Sequence, residues 1–94
     1  MNLKELHTEN KEIQTQLLQK SGQGSVISLQ IAADGVLKEH ISKVPALLIC
    51  VTGTAIYEEE QRKIDMSSGD FVRIESNIKH KVTAITESNF LLIR

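Results

Sequence analysis

Several residue types are scarce in this chain, and each scarcity excludes a class of structure. Cys50 is the single cysteine, so the chain has no internal disulfide and no cysteine-based zinc site. Aromatic residues make up 3% of the sequence, which does not favour stacking of bases from a nucleic acid. No apolar run approaches the roughly 18 residues of a membrane-spanning helix. We therefore expect neither a nucleic-acid partner nor a membrane partner.

The charge and the length give further limits. Eleven Lys and Arg residues nearly balance 12 Asp and Glu residues, whereas a nucleic-acid-binding domain normally carries a basic stripe. The first residues contain no apolar signal-peptide core, so the expected location is the cytoplasm. Ninety-four residues form one domain, here residues 1–94, with an N-terminal arm at 1–11 and a barrel at 12–94.

Hydrophobic periodicity predicts a β-protein with a short helical turn near the N-terminus. Residues 2–10 have apolar residues at helical spacing, but a helix this short needs a surface to lie on. From Glu12 onward the period is two, as in Ile27, Leu29 and Ile31, and turn signals follow every 8–12 residues. Eight to ten short strands of this kind predict an all-β barrel. Residues 33–35 are expected to form a turn, in which Gly35 is free to adopt a positive φ.

Two segments carry additional predictions. Residues 46–52 are apolar on both faces, which indicates a strand covered on both sides and, in so small a chain, a homodimer. Cys50 in this strand is expected to be a buried core residue. Residues 58–63 (Glu-Glu-Glu-Gln-Arg-Lys) are expected to form a solvated hairpin tip.

Two spaced motifs identify a family resemblance over residues 24–94. The chain resembles a small single-domain cupin, which implies a double-stranded β-helix, or jelly-roll barrel. The positions of the first family motif (glycine, His-x-His, glutamate, glycine) are held by Gly35, His40, Ser42, Ala46 and Gly53. Those of the second motif are held by Gly69, Glu75, Asn77, His80 and Ala84.

The resemblance also defines a candidate metal site and its defect. Metal-binding cupins use three histidines and a glutamate from these motifs. This chain retains His40 and His80, but Ser42 and Ala46 replace the other two ligands. An alanine side chain cannot bind a metal, and a catalytic zinc or iron site normally needs at least three protein ligands.

Three functional hypotheses remain open from the sequence. The first is a small-molecule-binding or sensory module without an intact metal centre, acting through a partner protein. The second is a metal-dependent enzyme of the dioxygenase or isomerase type, with one divalent transition metal on His40 and His80. The third is a structural dimeric subunit without a ligand. The residues predicted to line the pocket are His40, Ser42, Leu48, Cys50, Ile56, Val72, Ile74, His80 and Val82.

Overall fold

The structure, a computed structural model, describes residues 1–94 as nine strands and one helical turn. The helical turn α1 spans Leu3–Leu6, and the side chain of Asn2 caps it by accepting a hydrogen bond from the Lys4 backbone N–H at 2.9 Å. The strands are β1 (Ile13–Ser21), β2 (Gly24–Ile31), β3 (Val36–His40), β4 (Ala46–Thr52), β5 (Ala55–Glu59), β6 (Lys63–Met66), β7 (Phe71–Ile74), β8 (His80–Ala84) and β9 (Ser88–Ile93).

The strands form two antiparallel sheets that enclose the core. The larger sheet has the order β1-β2-β9-β4-β7 and the smaller has the order β3-β8-β5-β6. This arrangement is a jelly roll, so the prediction of an all-β barrel with an N-terminal helical turn is confirmed. The one helix has four residues, far fewer than a helix that crosses a membrane would need.

Alternation along the strands determines which side chains enter the core. In β2, Leu29 and Ile31 are buried in the core, while Ser28 and Gln30 lie on the opposite face of the sheet. The remaining core residues come from six other strands and include a fully buried tyrosine. They are Ala46, Leu48, Cys50, Ala55, Tyr57, Met66, Val72, Ile74, Val82, Ala84 and Phe90.

In the turn before β3, Gly35 does not use its freedom to adopt a positive φ. Asp34, not Gly35, adopts a positive φ there, at 64°. Aspartate tolerates this conformation because its short polar side chain bonds locally. Gly35 is instead required by close packing, since a Cβ there would lie 2.8 Å from the carbonyl oxygen of Ala32 and 2.9 Å from Cγ of Glu12.

An irregularity in β3 matters most for the site. Leu37 pairs with Val82 of β8, but His40 pairs with His80, so three steps along β3 match two steps along β8. A β-bulge of this kind adds one residue and reverses the inward and outward alternation beyond it. His40 therefore faces inward together with Leu37, which a regular strand would not allow.

Candidate functional site

A small cavity opens at one end of the barrel, between the two sheets. Its volume is about 30 Å³, which is enough for a water molecule or a methyl-sized group. Seven of its ten lining residues are apolar, and the polar ones are two histidines and a serine. The lining consists of Leu29, Leu37, His40, Ser42, Ala46, Leu48, Ile74, His80, Val82 and Leu92.

The two histidines lie side by side at this cavity. The ring centroids of His40 and His80 are 4.2 Å apart, with an angle of 59° between the planes. His80 is 4% exposed, whereas His40 is exposed to solvent. The pair therefore has one buried member and one member that reaches the outside.

Backbone hydrogen bonds orient both imidazole rings in the same way. Nδ1 of His40 lies 3.0 Å from the carbonyl oxygen of Lys38, and Nδ1 of His80 lies 3.0 Å from that of Ile78. A carbonyl oxygen only accepts hydrogen bonds, so each Nδ1 must carry the proton. In the neutral rings, Nε2 is then left as a hydrogen-bond acceptor, and no protein group donates to either Nε2.

A polar network continues from His80 to the surface. The ring of Tyr57 lies 5.9 Å from that of His80, and the Tyr57 hydroxyl donates to the carboxylate of Glu59. Arg62 binds the same carboxylate through two nitrogens, at 2.8 and 2.9 Å. Arg62 also donates to the backbone oxygen of Arg73 on the other sheet, at 2.7 Å. The network thus connects the histidine pair to both sheets.

The environment shifts the pKa values of the groups in this network. Burial is the main reason that the pKa of His80 is lowered. The hydrogen bond with the Ile78 carbonyl opposes this effect, the nearby His40 ring adds to the lowering, and Glu59 opposes it slightly. His80 is consequently neutral at pH 7. Burial raises the pKa of Tyr57, and the Glu59 carboxylate adds to this rise. The hydrogen bonds from Arg62 are the main reason that the pKa of Glu59 is lowered.

Comparison with solved structures gives a consistent assignment of the fold. A cupin superfamily protein from Desulfitobacterium hafniense superposes with a TM-score of 0.86 at 15% identity, covering 97% of this chain and 84% of that one. A cupin-2 domain protein from Shewanella frigidimarina gives 0.83 at 14% identity, over 100% and 92% of the two chains. The chain has the cupin fold. A conserved Streptococcus pyogenes protein of unknown function gives 0.84 at 16% identity, over 99% and 82%.

Comparisons of sequence give no assignment beyond the cupin fold. No protein-family model matches this sequence, and no curated protein matches it significantly. Since the structural neighbours share so little sequence identity, the likeness concerns the fold, and the function must be argued from this chain's own residues.

Six of the nine residues that the sequence predicts for the pocket line this cavity. They are His40, Ser42, Leu48, Ile74, His80 and Val82. Cys50 and Val72 lie in the hydrophobic core and do not line the cavity. Ile56 alternates with the buried Ala55 and Tyr57, so its side chain lies on the outer face of β5. Four lining residues were not anticipated as such: Leu29, Leu37, Ala46 and Leu92.

In the charged segment 58–63, residues 60–63 are exposed at the β5–β6 hairpin as predicted, but Glu59 differs from the prediction. Glu59 is not a solvated residue of a hairpin tip, because its side chain is 11% exposed and pairs with Arg62. In the register of β5 and β8, Glu59 lies opposite His80. The sequence contains only a weak signal for this position. Glu59 follows Tyr57 by two residues, so in a strand both side chains lie on the same face of the sheet.

The residues present do not fit the metal centre that the cupin resemblance implies. No group of three or more His, Cys, Asp or Glu side chains is arranged to hold a metal ion. Ala46 lies in the cavity without a donor atom, and the Ser42 hydroxyl donates to the backbone oxygen of Val44 at 2.8 Å. The carboxylate of Glu59, which lies opposite His80 in the register of β5 and β8, is already bound by Arg62 and Tyr57.

Proposed function

We propose that this cupin binds a small organic molecule that places an apolar group in the barrel cavity and donates hydrogen bonds to His40 and His80. The main supporting observation is the pair of Nε2 acceptors without a protein donor, held at an apolar cavity. The fixed Nδ1 bonds preorganise both rings, which lowers the entropic cost of binding.

The size of the site limits the ligand. A cavity of about 30 Å³ admits only an end group such as a methyl, whereas pockets for whole ligands hold roughly 300–1,000 Å³. A depression of about 380 Å³ includes the chain neighbours of the two histidines, Ile41 after His40 and Lys79 before His80. Its lining consists of Ile41, Glu59, Glu60, Gln61, Asn77, Ile78 and Lys79. The body of the ligand would occupy this depression, with its end group in the cavity.

The chemistry of the two histidines favours a hydroxyl or an amine on the ligand. A neutral imidazole accepts a hydrogen bond at Nε2, and His80 is neutral at pH 7 because burial lowers its pKa. An alcohol or an ammonium group donates to such an acceptor, whereas a carboxylate has no proton to donate. We therefore expect small polyols, monosaccharides or amino alcohols to bind better than anions.

Neither the Cys50 thiol nor the Ser42 hydroxyl is activated as a nucleophile. This agrees with a protein that binds its ligand without converting it and acts as a sensor through a partner protein. Cys50 is buried, and burial raises the pKa of its thiol, with the Asp70 charge adding to the rise. The Ser42 hydroxyl donates to a backbone carbonyl and not to a histidine. Neither the hydroxyl nor the thiol is hydrogen-bonded to a base, as an activated nucleophile would be.

Nuclear magnetic resonance titration tests the proposal with defined probes: polyols, monosaccharides, amino alcohols and short carboxylates. We expect saturable shifts of the His40 and His80 ring signals for at least one hydroxyl or amine probe. The variant Ala46→Val should abolish this binding by filling the cavity, while Ile85→Ala, a loop change outside the lining, should leave it intact.

Two outcomes would overturn the proposal. One is the absence of saturable shifts for every probe, which would support a structural role without a ligand. The other is stoichiometric iron, nickel, zinc or manganese in the purified protein that disappears in His40→Ala, which would support a metal-dependent enzyme.

A further inference from the structure

The depression of about 380 Å³ and the barrel cavity are two parts of one site. Ile41 lines the depression, and the next residue, Ser42, lines the cavity. The backbone oxygen of Ser42 accepts a hydrogen bond of 2.8 Å from the N–H of Asn77, which also lines the depression. On the other strand pair, Glu59 of the depression lies opposite His80 of the cavity in the register of β5 and β8. A ligand held by the histidines therefore extends into this depression.

The buried imidazole of His80 opens toward this site through one atom. His80 is 4% exposed, and its Nδ1 is bonded to the Ile78 carbonyl, while its Nε2 has no protein partner. Every side-chain nitrogen or oxygen that the fold closes off from solvent has a hydrogen-bond partner. The Nε2 atom must therefore reach the open space of the site, where it can accept a hydrogen bond from a ligand.

Two side chains of opposite charge line the depression without pairing with each other. Glu60 and Lys79 are both exposed, and neither takes part in an ion pair. The third charged residue of the lining, Glu59, is already neutralised by Arg62. One carboxylate and one ammonium group are thus left to bind charges on a ligand. A ligand that satisfies both groups carries a positive and a negative charge.

The order of these features along the site describes the ligand. The cavity of about 30 Å³ admits a methyl group, and the rings of His40 and His80 belong to its lining. Outside the cavity, the depression supplies the charges of Glu60 and Lys79. A matching molecule has a methyl group at one end, a hydroxyl beside it, and an ammonium and a carboxylate at the other end. A neutral sugar would leave both charged side chains without a partner.

The following assignment rests on the proposed function and narrows its ligand class. We propose that the site binds a small hydroxy amino acid of the size and shape of threonine. The methyl group occupies the cavity, and the hydroxyl donates to an Nε2 atom of the histidine pair. The ammonium group binds the Glu60 carboxylate, and the carboxylate binds the Lys79 ammonium group.

Nuclear magnetic resonance titration with four matched probes tests the assignment. Threonine carries all three polar groups, whereas isopropanolamine lacks the carboxylate. Hydroxybutyrate with its hydroxyl beside the methyl group lacks the ammonium group, and valine has a methyl group in place of the hydroxyl. We expect threonine to have the lowest Kd and each of the other probes to bind at least about threefold more weakly, the scale of one exposed polar or ionic contact. High salt should reduce the contribution of the two charged groups.

The exposed charges allow matched variants. Glu60→Gln should weaken threonine binding about threefold, the scale of one exposed ion pair, without weakening the binding of hydroxybutyrate, which has no ammonium group. Lys79→Gln should weaken threonine binding to a similar extent without weakening that of isopropanolamine, which has no carboxylate. Glu87→Gln in the β8–β9 turn and Lys20→Gln near the β1–β2 turn change the net charge by the same amounts, and both should bind threonine like the wild type.

The outcomes separate this assignment from the proposed function. The amino acid assignment alone would be overturned if isopropanolamine bound as tightly as threonine, or if polyols bound and threonine did not. It would also be wrong if Glu60→Gln, shown by circular dichroism to be folded, bound threonine like Glu87→Gln. The absence of saturable shifts with all these probes would overturn both the assignment and the proposed function.

Discussion

His40 and His80 are cross-strand partners whose rings are 4.2 Å apart, although β3 is irregular immediately before His40. The β-bulge turns His40 inward, and a backbone carbonyl holds each ring by its Nδ1. The site therefore depends on backbone geometry in β3 and β8 more than on contacts between side chains. This arrangement leads to predictions for pH, metal binding and stability.

Stability should decrease as the pH falls below about 6.5, the ordinary pKa of histidine. Burial lowers the pKa of His80 in the folded state, so the unfolded chain binds more protons in the window between the two values. This contribution to the free energy of unfolding is fully present above the pKa of His80 in the unfolded chain. It is lost as the pH falls toward the pKa of His80 in the folded protein. Urea unfolding at pH 7.5 and 5.5 measures the effect, which His80→Gln should reduce.

His7 provides a comparison for this pH dependence. Burial also lowers the pKa of His7, so His7→Gln should remove a second contribution of the same sign. The double variant should then show a weaker pH dependence than either single variant. If the free energy of unfolding of His80→Gln changed between pH 7.5 and 5.5 as much as that of the wild type, the assignment of the pH dependence to His80 would be wrong.

Restoring the two missing ligands should create a metal site. Positions 40, 42, 46 and 80 all line one cavity, so Ser42→His with Ala46→Glu supplies three imidazoles and a carboxylate. We expect the double variant to bind Ni²⁺ or Zn²⁺ at least roughly 100-fold more tightly than the wild type, since two further ligands are added. Isothermal titration calorimetry measures the affinity, and adding His80→Ala should remove the gain. A wild type that binds as tightly as the double variant would contradict this expectation.

Tyr57→Phe should destabilise the fold by about 1.5–3 kcal/mol, the range for a hydrogen bond to a charged group. Tyr57 is fully buried, and its hydroxyl donates to Glu59, so the variant leaves a poorly solvated carboxylate with one donor fewer. A double-mutant cycle with Arg62→Gln in urea measures the coupling of the two donors to Glu59. A Tyr57→Phe variant as stable as the wild type would show that the hydroxyl contributes nothing.

The strands and their inward faces could be predicted because alternation is a local property. Ile27, Leu29 and Ile31 lie on one face as expected, and His80, Val82 and Ala84 likewise share a face. The convergence of His40 and His80 followed from the spacing of two motifs on neighbouring strands. Its cause could not be predicted, because a regular β3 places Leu37 and His40 on opposite faces and nothing local in the sequence indicates the bulge.

The polar network was missed for a related reason. Glu59 lies in a run of charged residues, and such runs are usually solvated. Its partners are set by tertiary structure: Tyr57 on its own strand, Arg62 beyond the turn, and the backbone of Arg73 on the other sheet. Pairing across two sheets leaves no periodic signal, so only the fold reveals that Glu59 is a structural and electrostatic neighbour of His80.

Alanine substitutions at three glycines distinguish the energetic cost of backbone strain from that of steric contact. Gly53 has a φ of 95°, and an added Cβ would meet the Glu87 carbonyl oxygen and lie 2.5 Å from Oγ of Ser88. Gly69 has a φ of 91° but open space around it, and Gly22 has open space without a positive φ. Substitution by alanine should therefore cost at least about 3 kcal/mol at Gly53, about 1 kcal/mol at Gly69 and nearly nothing at Gly22. Urea unfolding of the three variants measures these costs, and equal costs at Gly53 and Gly69 would show that the contact with the β8–β9 turn adds nothing to the strain.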